Sequence, residues 1–537
     1  MRRIKLFFYN GILLTLTGLI IRTAYMFFNV YISNKIGAEA IGVYQLIMSV
    51  YLFSITVANS GINLATTRIV AEEDTLNNNF VTSKIMKKCL LYSIFTGCIS
   101  CIILFIISKF STAHFLHSKV SELPLQILAC SLPFLALTSC INGYFSGLRK
   151  IKNTVYCQIF EGIVKILLVI TFLNYFFRAY SIEQACIALV LSTTISEIFS
   201  FLFLLFLFLK GKKLSFCKVA YRKIKISESK ERTENKLFVH AKNEFSKELT
   251  KKILRIAIPI SFTSYIRSGL SCLKQVLIPI QLEKSGLNCS LALSQYGIIN
   301  GMAFPLIMFP CFFITSFSSL LIPEFAQMNI KKENSKINYA LNKILKFCFI
   351  FSILIMGFFW CFSKELSNFI YPNVDVSFYI KLLCPLVILM YIDNVVDSVL
   401  KGLDKQVSVM AINIIDLVTT ILIIYFLLPI KGVNGYIFAL FVSEILNGIL
   451  SLLLLIKQTH FKINFMNFIF KPFLCIIMLN LIFTFFNLHE LNNVFKFVFY
   501  CFLFIISYFL MLLGLRSICI IENLKNFPKL WILCENF

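Results

Sequence analysis

The sequence predicts an all-α polytopic membrane protein of about fourteen transmembrane helices, two parallel-repeat six-helix bundles plus two C-terminal helices. Three observations predict it: apolar runs that keep reaching the length of one bilayer crossing, a scarcity of charge inside them, and a weak internal repeat. Of the 537 residues, 58% are hydrophobic and only 14% are charged. A soluble chain carries about a quarter of its residues charged, enough to cover its surface. About 20 apolar residues in a helix cross a hydrocarbon core. Barrel strands would read as alternating segments of about ten residues, a pattern not seen in these runs. Every amide in lipid needs a partner within its own segment, so the runs are read as helices.

The spans fall near residues 6–32, 41–64, 89–108, 123–145, 154–177 and 184–209. After a polar stretch come 253–280, 292–322, 344–362, 378–400, 408–429 and 434–456, then 468–486 and 494–515. The first run follows Arg2, Arg3 and Lys5 and exceeds the length of a signal-peptide core, so it is read as a retained span. The chain divides into a first six-span half (1–210), a basic cytoplasmic linker (211–252), a second six-span half (253–457) and a final segment (458–537) with two further spans and a tail.

The net charge of +25 raises the question of nucleic-acid binding. The basic residues lie between the spans, however, and their alternation explains them better: inner segments carry Arg68, Lys84, Lys87, Lys88, Arg149, Lys150 and Lys152, whereas outer loops carry single residues such as Lys35 and Lys431. This positive-inside bias sets both termini in the cytoplasm and makes nucleic acid an unexpected partner. The segment Lys210–Lys252 holds 14 basic and five acidic residues; it reads as a solvated linker, with anionic lipid headgroups as the alternative contact. The 18 cysteines follow no disulfide framework, and Cys98 and Cys101 sit inside an apolar run. His114 and His117 have no carboxylate cluster beside them, so neither a metal nor a cofactor is expected.

The repeat sets Asn142–Leu148 against Asp397–Leu403, and at the same offset Gln158 against Asn413 and Glu161 against Asp416. Shorter offsets pair Arg22 with Arg267 and Glu197 with Glu444. Six spans per half give both halves one orientation, an architecture that puts a binding site between repeats.

Charges inside the spans carry the functional reading. Arg22, Lys165, Arg267 and Lys274 each fall within an apolar run. A basic group at the centre of a membrane helix costs about 2.5–3.5 kcal/mol, so four facing lipid would cost roughly 10–14 kcal/mol. They are therefore expected to face protein or water. Gly11, Thr15, Gly18, Arg22, Tyr25 and Asn29 draw one polar stripe along span 1, and Thr263, Ser264, Arg267, Ser271 and Lys274 draw another along span 7. Gln158, Glu161 and Lys165 align in span 5, where Glu161 and Lys165 stand four residues apart and read either as a pin or as part of the site. Asp393, Asp397 and Asp416 are the coupling-ion candidates. Arg22 and Arg267 have no acid three or four places away on their own helices, which points to a shared anion such as phosphate, whose oxygens a guanidinium fork engages two at a time, with pinning by carboxylates on other helices as the alternative. Pro259, Pro279, Pro305, Pro310 and Pro323 are expected to kink or break spans 7 and 8.

Ile36–Gln45, Ser60–Ala65 and Val70–Glu72 resemble the opening of the polysaccharide transporter family, within the multidrug/oligosaccharidyl-lipid/polysaccharide exporter superfamily. Gly143–Gly147 with Gln158–Glu161, and Gln295–Gly297 with Pro310 and Leu321–Pro323, resemble its span 4 to 5 passage and its span 8. The resemblance covers nearly the whole chain. It implies a non-enzymatic flippase in a bacterial cell membrane that moves an undecaprenyl-pyrophosphate-linked sugar, a peptidoglycan or polysaccharide precursor, by alternating access. Spore cortex or cell-wall biogenesis is the implied setting, with membrane lipids and cell-wall synthases as further partners. The chain is also similar to the lipid II flippase family, which implies arginines in span 1. Arg22 matches the first, while Phe28 and Asn29 stand where a second is implied and Lys274 is the replacement charge. Arg22, Arg267, Lys274, Asn29, Gln158, Glu161 and Lys165 form the candidate substrate site. The alternatives are a cation-coupled multidrug exporter and, from another class, a membrane-embedded glycosyltransferase or scaffold. The outer loops, none above about fifteen residues, give the enzyme little room for acid–base chemistry.

Overall fold

The computed structural model describes residues 2–75, 79–114, 121–176, 181–224, 237–461, 464–485 and 494–515. The middle of the expected linker (225–236), the tail beyond residue 515 and His117 lie outside the described residues. Among those described, regular structure is helical and there is no strand. The elements are α1 (Arg2–Asn59), α2 (Ile62–Thr75), α3 (Asn79–His114), α4 (Leu123–Ala129), α5 (Leu132–Gly147), α6 (Ile151–Thr171), α7 (Ile182–Ile224) and α8 (Leu237–Lys284). Then come α9 (Cys289–Tyr296), α10 (Phe304–Met308), α11 (Cys311–Ile330), α12 (Asn334–Cys361), α13 (Ser363–Ile370), α14 (Ser377–Leu383), α15 (Leu386–Gly402), α16 (Gln406–Thr459), α17 (Lys471–Phe485) and α18 (Val494–Gly514).

Eleven helices among the described residues are long and apolar enough to cross a bilayer, or twelve if α14 and α15, bent by 54°, form one span. The sequence expects about fourteen crossings. The difference has local causes. Thr17–Glu72 and Gln406–Thr459 each take in two expected spans over 56 and 54 residues, roughly 80 Å of helix rise, far more than one crossing needs. Gly37 (φ 83°) and Gly432 (φ 55°) break the helical backbone inside α1 and α16, in a region that glycine enters without a Cβ clash. Expected span 7 lies within α8, which is not among the eleven, and expected span 8 is divided between α9–α10 and α11.

The described chain forms two compact units. One contains residues 46–276, the other residues 1–45 together with 277–537. In the first, α5 packs on α2 through small residues. A Cβ on Gly143 would lie 2.6 Å from Asn63 O, and one on Gly147 would lie 2.9 Å from Thr67 O. Close backbone approach of this kind drives helix association where lipid and side chains are equally apolar. The Thr67 hydroxyl donates to Gly143 O at 3.1 Å, and Ile62, Ile69, Val70, Cys140, Ile141 and Phe145 fill the seam.

In the second unit the residue 255 positions after Gly147 repeats the device. A Cβ on Gly402 of α15 would lie 2.8 Å from Ile322 O of α11. Aromatic rings hold the last two helices: Phe362 meets Phe483 and Phe504 edge-on, with centroids 5.9 and 5.6 Å away. Tyr508 donates to Ile350 O at 3.0 Å.

The expected breakages at proline divide sharply. α8 runs unbroken through Pro259 and Pro279, and Pro323 lies inside α11. The stretch around Pro305 and Pro310 does break: residues Gly297–Ala303 widen into a π-helical turn, and the helix stops again after Met308. Proline cannot donate to the carbonyl four residues earlier, which frees Gly301 O and Leu306 O. Asn29 Nδ2 donates to the first at 2.9 Å, and the Phe309 amide turns back to the second at 3.3 Å. Tyr371 and Tyr391 donate to Met302 O and Ile307 O at 3.3 and 2.9 Å. Buried carbonyls of an irregular segment are thus satisfied by side chains, as a membrane interior requires. Gly42 and Gly297 bring this segment against α1, where a Cβ on Gly297 would sit 2.0 Å from Ala38 O and one on Gly42 2.2 Å from Leu293 O. Gly42→Ala and Gly297→Ala should each destabilise the purified protein by roughly 1–3 kcal/mol, the usual cost of overpacking. Gly18→Ala, with open space around it, should leave the thermal unfolding midpoint in detergent unchanged, and equal midpoints for all three variants would refute this packing.

Candidate functional site

In the unit that contains residues 1–45, Arg22 lies on α1 with an exposed side chain. Its Nη1 donates to Thr315 Oγ1 of α11 at 2.7 Å, and its guanidinium carbon stands 5.2 Å from the centre of the Phe312 ring. No carboxylate lies within ion-pair distance of Arg22 among the described residues. Two turns further along α1, Asn29 is half-buried and its amide is engaged with Gly301 O.

The expected coupling acids belong to this same unit. Asp393 and Asp397 lie one turn apart on α15 and are half-buried; Asp416 on α16 is buried. Asn447 Nδ2 donates to Asp393 Oδ2 at 2.9 Å. Lys401 Nζ approaches Asp397 at 3.6 Å, a partly exposed pair within one helix that contributes little stability. Asp416 Oδ1 accepts from Ser443 at 2.7 Å and from Thr420 at 3.3 Å. Asp393 Oδ1, Asn447 Oδ1 and Ser451 Oγ are buried without a hydrogen-bond partner among the described residues. α15 and α16 therefore gather carboxylate, amide and hydroxyl oxygens within the membrane-spanning region.

The unit of residues 46–276 holds Arg267, Lys274, Gln158, Glu161 and Lys165. Residues of α8 on either side of Arg267 are tied down. Tyr265 pairs with Ser60, and Ser268 pairs with Thr56 at 3.0 Å. Gly269 leaves room for the Phe53 ring, which a Cβ there would meet at 3.5 Å. With those contacts made, the Arg267 side chain is exposed and Lys274 is half-buried. Neither has an acidic partner within ion-pair distance among the described residues. Gln158 is exposed, while Glu161, half-buried, accepts from Ser200 at 2.8 Å. Lys165, one turn from Glu161 on α6, is half-buried.

Several residues that the sequence analysis did not single out complete these clusters: Thr315 and Phe312 beside Arg22, Asn447 beside Asp393, and Tyr51 beside Glu197. Tyr51 is fully buried. Its hydroxyl donates to Glu197 Oε2 at 2.6 Å and lies 2.5 Å from Ser131 Oγ. A run of hydroxyl residues in span 8, from Thr315 to Ser319, was the available signal for the first pair. For Tyr51, one aromatic among many apolar residues, nothing in the sequence stood out. Removing the hydroxyl takes one hydrogen-bond donor from Glu197, 7% exposed, a loss worth about 1–3 kcal/mol for a buried group. Tyr51→Phe should lower the thermal midpoint accordingly, while Tyr156→Phe, at an exposed ring, should not; a Tyr51→Phe protein as stable as the parent would remove Glu197 from the structural frame.

A family model described as "Polysaccharide biosynthesis protein" matches residues 7–329. Stage V sporulation protein B of Bacillus subtilis is 23% identical over 445 residues, spanning 82% of this chain and 82% of that protein. Sporulation protein YkvU of the same organism is 18% identical over 358 residues, 66% of this chain and 74% of its own length. Among solved structures, the lipid II flippase MurJ in an inward closed conformation aligns with a TM-score of 0.64 at 14% identity, covering 97% of this chain and 100% of that one. An inward-facing multidrug resistance MATE family transporter of the MOP superfamily aligns at 0.59 and 13% identity, covering 83% and 99%. At these identities the structural likeness establishes a shared fold.

Proposed function

The chain belongs to the polysaccharide biosynthesis protein family, and from that premise we propose that it is a flippase for an undecaprenyl-pyrophosphate-linked sugar. One observation carries the reading: Arg22, in a membrane-spanning helix, is held by a hydroxyl and an aromatic ring, with no carboxylate at ion-pair distance among the described residues. A guanidinium held this way keeps its attraction for phosphate oxygens, which it can engage as a fork. Arg267 and Lys274 on α8 are proposed as further cationic contacts for the substrate, with Gln158, Glu161, Lys165 and Asn29 as additional candidates. The pyrophosphate headgroup enters from the inner leaflet, the two repeated halves (1–210 and 253–457) rock about it, and the isoprenoid tail stays in lipid. An inside-negative potential favours outward movement of an anion by about 2.3 kcal/mol per charge per 100 mV.

The likeness to two sporulation proteins supports a place in sporulation, which we take to be spore cortex or related cell-wall synthesis, with cell-wall synthases as proposed partners; the alternation of Lys and Arg between loops supports both termini in the cytoplasm. Asp393 Oδ1, Asn447 Oδ1 and Ser451 Oγ, which lack a hydrogen-bond partner among the described residues, suit a hard monovalent cation, and we assign coupling to them, with Asp397 and Asp416 nearby in the sequence of the same helices. A cation-coupled exporter of organic cations is the second reading these oxygens favour; Arg22 and Arg267, with no acid at ion-pair distance among the described residues, weigh against cationic cargo. Transport of fluorescent lipid-linked pyrophosphate sugars into proteoliposomes tests the proposal, run with sodium and with choline outside. Arg22→Ala and Arg267→Ala should each lower the initial rate at least tenfold, about 1.4 kcal/mol or more of lost stabilisation, with normal membrane insertion. Sodium dependence should disappear in Asp393→Asn. Full activity in both arginine variants, or preferential transport of a cationic dye, would contradict the reading.

A further inference from the structure

We infer that Thr315 and Phe312 are positioning residues: they aim the Arg22 guanidinium at an anionic headgroup, and they serve because they are neutral. The inference rests on the flippase reading above and adds the two residues that set the geometry of its anion contact. Thr315 and Phe312 lie three residues apart on α11, hence on one face of the helix. The Thr315 hydroxyl donates to Phe312 O at 3.2 Å, which fixes its rotamer and turns a lone pair toward Arg22 Nη1 at 2.7 Å. The flat guanidinium then lies over the Phe312 ring, 5.2 Å from its centre, where the negative face of the π-system attracts it. A guanidinium carries five donors. Thr315 takes one, and the others make no hydrogen bond among the described residues.

A carboxylate in place of Thr315 would orient Arg22 equally well, but it would neutralise the charge that an anion must meet. A hydroxyl and a ring orient without neutralising. At the start of α11 the amides of Phe312 and Phe313 are already bound to Phe309 O and Pro310 O, so those two are not open to an anion. The support is itself held from behind by α15. Tyr391 donates to Ile307 O at 2.9 Å on one side of the break, and Asn394 Nδ2 reaches Cys311 Sγ at 3.6 Å on the other. The break at Pro310 is what presents Phe312 and Thr315 to α1, and α15 keeps that turn from drifting.

The test compares binding of undecaprenyl pyrophosphate and of uncharged undecaprenol to the purified full-length protein in detergent. Thr315→Val keeps the shape and removes the acceptor. It should raise the half-saturating concentration of the pyrophosphate about tenfold and leave that of undecaprenol unchanged. Thr315→Ser should restore the parent value, and Phe312→Leu should weaken pyrophosphate binding in the same selective way. Parent-like pyrophosphate binding in Thr315→Val, or an equal loss for both lipids in Thr315→Val and Phe312→Leu, would overturn the positioning role while leaving the flippase reading intact. A parent protein that binds the two lipids alike would overturn that reading and this inference together.

Discussion

A positive charge inside a bilayer has to be accommodated by protein or by water, and that requirement shapes the surroundings of Arg22. Arg22 meets it with a hydroxyl at 2.7 Å and an aromatic ring. Neutral contacts of this kind satisfy part of the guanidinium's hydrogen bonding and leave its net charge in place. The cost of such a charge at a helix centre, about 2.5–3.5 kcal/mol even on insertion scales, is one reason to treat it as functional. The carboxylates behave differently. Glu161, Glu197 and Asp416 each accept from a hydroxyl donor, whereas Asp393 accepts from Asn447 through one oxygen and keeps the other without a hydrogen-bond partner among the described residues.

The broken helix pair α9–α10 and α11 follows from the same logic. Proline at 305 and 310 deprives the ladder of two donors. Each freed carbonyl then has to find another partner, because lipid offers none. Asn29 binds Gly301 O and the Phe309 amide turns back to Leu306 O, while Tyr371 and Tyr391 bind the adjacent Met302 O and Ile307 O. The break is therefore a fixed feature, and its direction determines which side chains of α11 reach Arg22. Asn29 links the two themes: it lies on the polar stripe of Arg22 and spends its amide on the carbonyl that Pro305 sets free.

Much of the fold was legible because its determinants are local. Hydropathy and the need to pair every amide identify the helices, and the glycines of the repeat, Gly147 and Gly402, mark where two helices touch in each unit. Arg22 and Arg267 stood out because a charge inside an apolar run is costly wherever it occurs. What the sequence hid was which distant residues answer them. Thr315 is 293 positions from Arg22, and no spacing rule connects them. Tyr51 was concealed among apolar neighbours, since its hydroxyl has meaning only beside Glu197. The number of crossings was blurred by Gly37 and Gly432, where a single glycine turns one apparent helix into two segments.

The claim that position 22 faces water is open to direct measurement. In a single-position Arg22→Cys protein in membranes, labelling by a water-soluble charged thiol reagent is followed by mass spectrometry of the peptide that contains residue 22. Reaction with the aqueous reagent is the expected result. Reaction with a lipid-soluble maleimide alone would place position 22 against acyl chains and contradict it.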